Sequence, residues 1–277
     1  MREIEDRKIK EAVAQGIIEA CRNLPGEVER ALEEALERED SPLARKALEI
    51  LLENARLARK KGLPLCQDTG LPLVFVRIGE GVRVKNLYQA IEEGLYLGFK
   101  KGYLRASVCE VLSRRNTGTN TPGIIHIELV PGEDLEIFLL PKGCGSENMS
   151  RLAMLPPSAG LKGIKDFVVE TVARAGANSC PPLVVGVGIG GSFEAAALLS
   201  KKALLRPLAK PHPQKEVAEL EKDLFLKINQ LGIGPLGLGG RITALAVHIE
   251  VQPSHIASLP VAVNLQCHAH RIKRIVL

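Results

Sequence analysis

The spacing of apolar residues predicts a helical start to the chain. Over residues 3–38, apolar side chains recur every three or four positions among charged ones, and a Leu-Pro-Gly break divides the run, which predicts two amphipathic helices. A third helix is predicted over residues 44–61, because Ser41 is typical of a helix N-cap and Gly62 of a C-terminal cap. Residues 1–62 are therefore expected to form a helical N-terminal lobe.

Beyond this lobe, short β-branched runs alternate with helical patterns. The predicted strands cover residues 71–78, 123–130, 135–140, 183–187, 242–251 and 261–265. The predicted helices cover residues 84–103, 160–176, 192–205 and 213–230. Because a Pro-Gly-Glu-Asp turn joins the second and third strands, these two are expected to pair as an antiparallel hairpin. Residues 1–277 are thus predicted to form a single mixed α/β (α+β) domain, a β-sheet with packed helices and the helical lobe.

Composition and charge exclude several classes of protein. The chain is 45% hydrophobic and 25% charged, as globular proteins are, and no apolar run approaches the ~20 residues of a membrane span. The net charge is +5, but basic residues alternate with Glu and aromatic residues make up only 3%, which argues against a nucleic-acid surface. A protein that handles a small anion fits better. The charged N-terminus is not a secretory signal, so a cytoplasmic location is expected.

Six cysteines are expected to stay reduced in that location, which leaves metal binding, catalysis or burial as their uses. Cys66 and Cys180 lie in segments rich in Gly, Pro, Asn and Thr, as ligand-binding loops do, and Cys267 lies in a further candidate segment over residues 264–271. For these three, metal ligation and burial both remain open. No Cys-x-x-Cys pair is present, which disfavours structural zinc. Three separate thiolates would suit a [4Fe-4S] cluster with one open iron, which can act as a Lewis acid.

Several motifs occur together in the order found in a known family. They are Cys66-Gln-Asp-Thr-Gly70, Asn116-Thr-Gly-Thr-Asn120, Lys142-Gly-Cys-Gly-Ser-Glu-Asn148, Cys180-Pro-Pro182 followed by Gly186-Val-Gly-Ile-Gly-Gly191, and Gln266-Cys-His-Ala. Over about residues 40–277, the chain resembles the alpha subunit of class I iron-sulfur fumarate hydratases and the similar L-tartrate dehydratases. The resemblance implies a hydro-lyase that interconverts (S)-malate and fumarate, with L-tartrate as the alternative substrate.

The resemblance also implies a role for individual residues. The cluster ligands would be Cys66, Cys180 and Cys267. Cys144 falls where single-chain members of the family have Gly, and it is not expected to be a ligand. The catalytic residues would be Asp68 and His255, and the residues that bind the dicarboxylate substrate would be Gln67, Arg105, Gly145 and Asn148.

A partner chain is implied as well. In the resembling family, a beta subunit or a C-terminal domain supplies the remaining substrate-binding residues. Because Cys267 lies close to the end of the chain, its cluster is expected at an interface with that beta subunit. An assembly of two alpha and two beta subunits is expected, without a nucleic-acid or membrane partner.

The residue types agree with these roles, but each has a simpler structural alternative. The guanidinium of Arg105 can pair bidentately with a carboxylate, and Asp68 can orient or serve as a base. The alternatives are a surface ion pair between Arg105 and Glu110, and an Asx-turn or N-cap formed by Asp68 before Gly70. Without the resemblance, His255 would be expected to have only a structural role.

The glycines from Gly186 to Gly191 formally match a dinucleotide-binding fingerprint, which makes an NAD-dependent oxidoreductase the rival enzyme. No Asp or Glu lies between Glu194 and Glu216, so the acid expected to bind the ribose is missing. The glycines are therefore expected to form a tight loop that lets the backbone and a helix N-terminus approach the cluster or an anion. A plain strand-to-helix turn is the alternative.

Overall fold

The computed structural model describes residues 2–277, which form a mixture of helices and strands. The helices are α1 (Asp6–Arg22), α2 (Gly26–Arg38), α3 (Pro42–Lys61), α4 (Leu87–Lys101), α5 (Cys144–Glu147), α6 (Gly160–Ala175), α7 (Phe193–Ala203) and α8 (Lys215–Asn229). The strands are β1 (Arg2–Glu3), β2 (Leu71–Gly79), β3 (Val82–Arg83), β4 (Ile124–Val130), β5 (Leu135–Lys142), β6 (Arg151–Leu155), β7 (Leu183–Gly190), β8 (Ala244–Gln252), β9 (Leu259–Gln266) and β10 (Lys273–Val276). This content confirms the predicted α+β class. Among residues 2–277, no helix combines the length and apolarity that crossing a membrane requires.

The chain divides into two compact units, each with its own sheet. The first unit comprises Met1–Pro25, Asn54–Cys144 and Arg271–Leu277, and the second comprises Gly26–Glu53 and Gly145–His270. The segment expected to be one helical lobe is therefore distributed over both units, because α1 belongs to the first and α2 to the second. The expectation of a single domain stays a prediction.

The first unit is built on a four-stranded sheet with the order β10-β5-β2-β4. The central strand β2 runs parallel to β4 and antiparallel to β5, and β10 pairs antiparallel with the outer side of β5. Apolar side chains of α1 and α4 share one buried cluster with the inward faces of β2 and β5. The short strands β1 and β3 form a separate parallel pair.

The predicted hairpin of β4 and β5 is wrong, because β2 lies between these two strands. Most of β2 is buried, so a partner on each edge satisfies its backbone groups. The turn over residues 131–134 passes across the end of β2, where the N–H of Gly79 donates to the carbonyl of Asp134 at 2.9 Å. A Cβ at Gly79 would lie 2.5 Å from the carbonyl oxygen of Gly132, so the crossing requires glycine.

The second unit has a four-stranded sheet with the order β6-β9-β7-β8. Strand β7 pairs parallel with β8 and antiparallel with β9, and β6 pairs antiparallel with the other side of β9. Apolar side chains from α6 and α8 form the core of this unit together with those of β7, β8 and β9. Strand β6 was not predicted from the sequence, and neither was β10 of the first unit. Both strands are short.

The glycine run after residue 185 differs from the predicted tight loop. Gly186 and Gly188 lie inside β7, and only Gly190 and Gly191, with φ of 92° and 67°, form the turn that leads to α7. A Cβ at Gly188 would lie 2.1 Å from the carbonyl oxygen of Ala196 in α7. The first glycines of the run therefore allow a helix to pack closely on a strand, which explains them without a bound nucleotide.

A largely buried ion pair is hydrogen-bonded to residues of β8 in the second unit. The side chains of Arg206 and Glu221 are paired, and Nε of Arg206 donates to Nδ1 of His248 at 2.9 Å. The carboxylate of Glu221 also accepts the N–H of Ile249 at 2.8 Å. Burial, followed by the positive charges of Arg206 and His270, lowers the pKa of His248 to about 3.

The free energy of unfolding is therefore expected to decrease as the pH is lowered from about 6.5 to about 3. Above this window His248 is neutral in both states, whereas within it only the unfolded chain takes up the proton. We expect the free energy of unfolding to drop by up to about 2 kcal/mol between pH 7 and pH 5 on account of this residue. Urea unfolding at pH 7, 6 and 5 measures the drop.

His248→Gln should remove that part of the pH dependence, whereas His255→Gln, which changes an exposed histidine, should keep it. An unchanged slope in the His248→Gln protein would show that another group causes the pH dependence.

Candidate active site

The first motif lies between α3 and β2 in the first unit. Cys66 is half-buried and Gln67 is exposed, whereas Thr69 is buried. The hydroxyl of Thr69 donates to the carbonyl oxygen of Arg105 at 2.6 Å. This bond holds the backbone of the predicted substrate arginine against the segment that carries the first predicted cluster ligand.

Asp68 is held by hydrogen bonds on all of its oxygens. Its Oδ1 accepts the N–H of Gly70 at 3.0 Å, which is the Asx-turn that the structural alternative predicts. Its Oδ2 accepts the N–H of Cys144 at 2.8 Å, and its carbonyl oxygen accepts Nη1 of Arg271 at 3.0 Å. The carboxylate is therefore fixed in orientation. Its catalytic role stays a prediction.

Asn120 has a structural function that the sequence did not indicate. Its buried side chain accepts the N–H groups of Ser107 and Val108 at 2.6 and 3.0 Å, and its Nδ2 donates to the carbonyl oxygen of Gly70 at 3.1 Å. The motif containing Asn120 thus fixes the segment after Arg105 relative to the first motif. The available signal was an Asn in a Gly- and Thr-rich loop, a residue type that tolerates the positive φ of 57° found here.

The side chain of Arg105 is exposed, and the residues described by the structure include no ion pair between it and Glu110. An exposed guanidinium beside the first motif is consistent with the predicted carboxylate-binding role, which stays a prediction.

In the second unit, the predicted substrate loop is anchored through Glu147. Gly145 and Asn148 are exposed, and Glu147 lies between them in the chain. The carboxylate of Glu147 pairs with Nζ of Lys201 in α7 and accepts Nδ2 of Asn264 in β9 at 2.9 Å. The loop is thus fixed to the strand that leads directly to the last predicted cluster ligand.

The structure brings the two later cysteine segments together. The carbonyl oxygen of Cys180 accepts the N–H of His268 at 3.2 Å, so the Cys180 and Cys267 segments are adjacent within the second unit. Cys180 has φ of 53° and is exposed, and Cys267 is half-buried. A Cβ at Gly145 would lie 3.5 Å from the carbonyl oxygen of Asn178, which places the substrate loop beside the same segment.

A glycine-rich loop that the sequence analysis missed supports Cys180. The N–H of Leu236 donates to the carbonyl oxygen of Pro181 at 2.8 Å. Gly237 has φ of 77°, and a Cβ there would lie 2.3 Å from Cβ of Ala177. The signal in the sequence is the run Gly-Pro-Leu-Gly-Leu-Gly-Gly, whose close approach to the Cys180 segment requires small residues.

His255 lies in the turn between β8 and β9 of the second unit and is exposed. Its Nδ1 accepts the N–H of Ala257 at 3.1 Å, and its carbonyl oxygen accepts the N–H of Ser258 at 2.9 Å. These bonds shape the turn. Its predicted role in catalysis stays a prediction.

None of the six cysteines forms a disulfide. Among residues 2–277, no group of three His, Cys, Asp or Glu side chains forms a site for a single metal ion. A four-iron cluster differs in this respect, because each thiolate binds its own iron and the ligands stand further apart. Cys66, Cys180 and Cys267 are reduced, exposed or half-buried cysteines, and two of them lie on adjacent segments, which fits such a group.

Thiol reactivity is expected to separate the cysteines. Burial raises the pKa of Cys21 to about 11, and its Sγ lies 3.6 Å from the carbonyl oxygen of Thr69. In the cluster-free folded protein at pH 8, iodoacetamide should modify the exposed Cys144 and Cys180 first and Cys21 at least about 100-fold more slowly. Peptide mass spectrometry over time measures these rates.

The urea-unfolded chain is the control for this experiment, since all six thiols should then react alike. Equal rates at Cys21 and Cys180 in the folded protein would contradict the burial of Cys21.

Comparison with known proteins identifies the class, which is that of the hydro-lyases. The chain belongs to the family described as Fumarate hydratase (Fumerase), whose model matches residues 10–276. It is 47% identical over 281 residues to the "Putative L(+)-tartrate dehydratase subunit alpha" of Methanocaldococcus jannaschii, covering 98% of each chain. It is 37% identical over 273 residues to the "L(+)-tartrate dehydratase subunit alpha" of Escherichia coli strain UTI89, covering 95% of this chain and 89% of that protein.

These matches confirm the predicted family and the prediction of a hydro-lyase. The rival oxidoreductase depended on the glycine run after residue 185. Gly186 and Gly188 lie within a strand under a closely packed helix, so the glycine run no longer supports an NAD-dependent oxidoreductase.

Proposed function

We propose that the chain is the alpha subunit of an iron-sulfur hydro-lyase that reversibly dehydrates (S)-malate to fumarate. The observation that carries the proposal is the hydrogen bond from the N–H of His268 to the carbonyl oxygen of Cys180, which joins the segments of two predicted cluster ligands. Membership of the Fumarate hydratase (Fumerase) family supports the reaction type.

Cys66, Cys180 and Cys267 are the proposed ligands of a 4Fe-4S cluster. When bound through three thiolates, such a cluster supplies an open iron that polarises the leaving hydroxyl as a Lewis acid. The assignment is supported by the absence of disulfides and by the place of all three cysteines outside the helices and strands.

The protein's own side chains then bind and orient the dicarboxylate. The exposed guanidinium of Arg105 is suited to bidentate pairing with one carboxylate, and the exposed backbone at Gly145 lets a substrate approach closely. Gln67 and Asn148 offer exposed amides as further hydrogen-bonding groups.

Proton transfer is assigned to Asp68 and His255. The backbone donors of Gly70 and Cys144 hold the carboxylate of Asp68 in one orientation, as positioning of a reacting proton requires. In His255, Nδ1 accepts a backbone N–H, so the other ring nitrogen is the one available to a substrate.

A beta subunit is the proposed partner, in an assembly of two alpha and two beta chains in the cytoplasm. The support is that the relatives from Methanocaldococcus jannaschii and Escherichia coli are both named as alpha subunits. The beta subunit would contribute the remaining groups that bind the substrate.

L-tartrate is the second candidate substrate, because the same two relatives carry the name L(+)-tartrate dehydratase. L-tartrate differs from malate by one additional hydroxyl. Side chains that recognise this hydroxyl would determine which of the two substrates is preferred. A site that hydrogen-bonds the hydroxyl of L-tartrate would strongly disfavour malate, because malate would leave a buried polar group of the site without a partner.

The test is an anaerobic assay of the chain co-expressed with its beta subunit and reconstituted with iron and sulfide. Dehydration of (S)-malate, measured as fumarate formation, is expected to exceed dehydration of L-tartrate; the reverse order would establish the second candidate. Asp68→Asn should abolish turnover while iron and sulfide stay bound, whereas Asp166→Asn, which changes an exposed acid on α6, should have no effect. A complex without iron and sulfide, or one inactive on both substrates, would overturn the proposal.

A further inference from the structure

Arg271 is the largest fully buried side chain of the protein, with an exposure of 1%. Its Nη1 donates to the carbonyl oxygen of Asp68 at 3.0 Å, but its buried Nε has no hydrogen-bond partner among the described residues. Within the described part of the chain, no carboxylate lies within ion-pair distance of this guanidinium. Arg271 therefore buries a full positive charge that no carboxylate neutralises directly.

Such an arrangement requires an explanation, because a buried charge without a counter-charge is strongly unfavourable. Lysine can lose its proton when it is buried, but a guanidinium stays charged in proteins. The unfavourable burial of Arg271 is relieved only if an anion comes close to it in the functional state.

The side chains of Lys142 and Asp68 lie close to Arg271 in the first unit. Lys142 is fully buried, with Nζ 3.5 Å from the carbonyl oxygen of Gly143. A Cβ at Gly143 would lie 3.9 Å from Nη2 of Arg271 and 3.5 Å from Oδ2 of Asp68, so these two side chains lie beside the same backbone segment. The carboxylate of Asp68 is the nearby negative group, and its two oxygens are already held by backbone N–H groups.

The neighbouring thiol does not supply the missing negative charge. Arg271 and Asp68 both act on Cys21, but burial dominates and raises the pKa of this thiol to about 11. Cys21 therefore stays neutral near pH 7. Neither Cys21 nor a carboxylate within ion-pair distance therefore neutralises the guanidinium of Arg271.

We propose that Arg271 provides the counter-charge for an anionic iron-sulfur cluster bound at Cys66. This inference rests on the proposed function. A cluster of charge +2 with three thiolates is a net anion, and Cys66 precedes by two residues the Asp68 whose carbonyl Arg271 holds. The unpartnered Nε–H is the donor left for that group. Net charge and hydrogen bonds of this kind set the reduction potential of clusters.

The experiment compares Arg271→Gln and Arg271→Lys with the wild-type complex of alpha and beta subunits. Iron and sulfide content, the rate of cluster loss to a chelator, and the reduction potential from an EPR-monitored titration are measured. Arg271→Gln is expected to lose the cluster about 10–100-fold faster and to shift the potential to more negative values, because a positive charge is removed. In Arg271→Lys, the neighbouring anionic cluster favours the protonated ammonium, so this variant should retain most of the wild-type potential.

Unfolding of the cluster-free chain separates charge balance from a structural role. Cluster-free Arg271→Gln should be at least as stable as the cluster-free wild type, because the buried charge is gone. Arg274→Gln is the matched control, since Arg274 is an exposed arginine of the same C-terminal segment paired with Glu136, and it should leave the potential unchanged.

Three results would overturn the inference. A cluster-free Arg271→Gln chain that unfolds much earlier would show that the arginine acts only through the carbonyl of Asp68. If Arg271→Gln keeps the wild-type reduction potential and retains its cluster but has a raised KM for malate, the anion that Arg271 balances is a substrate carboxylate. A wild-type complex with no iron or sulfide would overturn the proposed function together with the inference. The first two results, in contrast, overturn only the inference about Arg271.

Discussion

Cys180→Ala is expected to remove the cluster and to lower kcat by at least about a thousand-fold. The reason is that the open iron of the proposed cluster would supply several kcal/mol of transition-state stabilisation, and each 1.36 kcal/mol corresponds to a factor of ten in rate. Iron and sulfide analysis of the reconstituted complex, together with kcat on malate, measures the effect. Because Cys180 is exposed, its replacement should not disturb the core, and the unfolding midpoint of the cluster-free chain should stay the same.

Cys109→Ala is the matched control for this experiment. Cys109 is a half-buried cysteine in a different loop, where its residue forms an isolated bridge with Asn116. This variant should bind iron and sulfide like the wild type and keep its activity. A Cys180→Ala complex that retains its full iron content would exclude Cys180 as a ligand.

Gly188→Ala is expected to produce a large loss of stability, about 3 kcal/mol in the free energy of unfolding. A Cβ at this position would lie 2.1 Å from the carbonyl oxygen of Ala196 and 2.6 Å from the amide nitrogen of Ser200, both in the backbone of α7. Backbone atoms in a helix cannot rotate away as a flexible side chain can, so α7 must move off β7. Urea unfolding monitored by circular dichroism measures the loss.

Gly26→Ala is the control for the same chemical change. Gly26 is the first residue of α2 in the same unit, and an added Cβ there would meet only the end of the Arg30 side chain at 3.7 Å. This substitution should change the stability by less than about 1 kcal/mol, or raise it slightly, because it restricts the unfolded chain. Equal losses in the two variants would contradict the close packing of α7 on β7.

The helices were predicted well because their signals are local. The boundaries of α3 follow from Ser41, whose carbonyl and hydroxyl accept the first N–H groups of the helix, and from Gly62, which has φ of 66° after its end. The strands β2 and β7 were also located from their apolar runs. Neighbouring residues alone determine such patterns.

The pairing of the strands was not predictable in the same way. The turn over residues 131–134 favoured a hairpin, yet β2 lies between β4 and β5. A turn sequence limits only the two strands that it joins, whereas the partners of a strand depend on burial of both its edges by residues distant in the chain. The close approach at Gly79 that permits this arrangement is visible only in three dimensions.

The same difference between local signals and long-range contacts applies to the candidate site. The motifs indicated a family, which the comparisons confirmed, and within it the predicted cluster ligands Cys66, Cys180 and Cys267. The residues that support those loops, such as Asn120 and Arg271, carried no comparable signal. A supporting side chain acts through hydrogen bonds to backbone groups far away in sequence, and such bonds leave no pattern in either segment.

The sequence by itself therefore determined the helices, the main strands, the fold class and the family of this hydro-lyase, because local periodicity and several motifs in one order are sufficient for these. Only the tertiary structure decided which strands pair, why the glycines of β7 are needed, and that Arg271 is buried without a carboxylate partner. The physical reason is that burial, close packing and charge balance depend on atoms that folding brings together from distant parts of the chain.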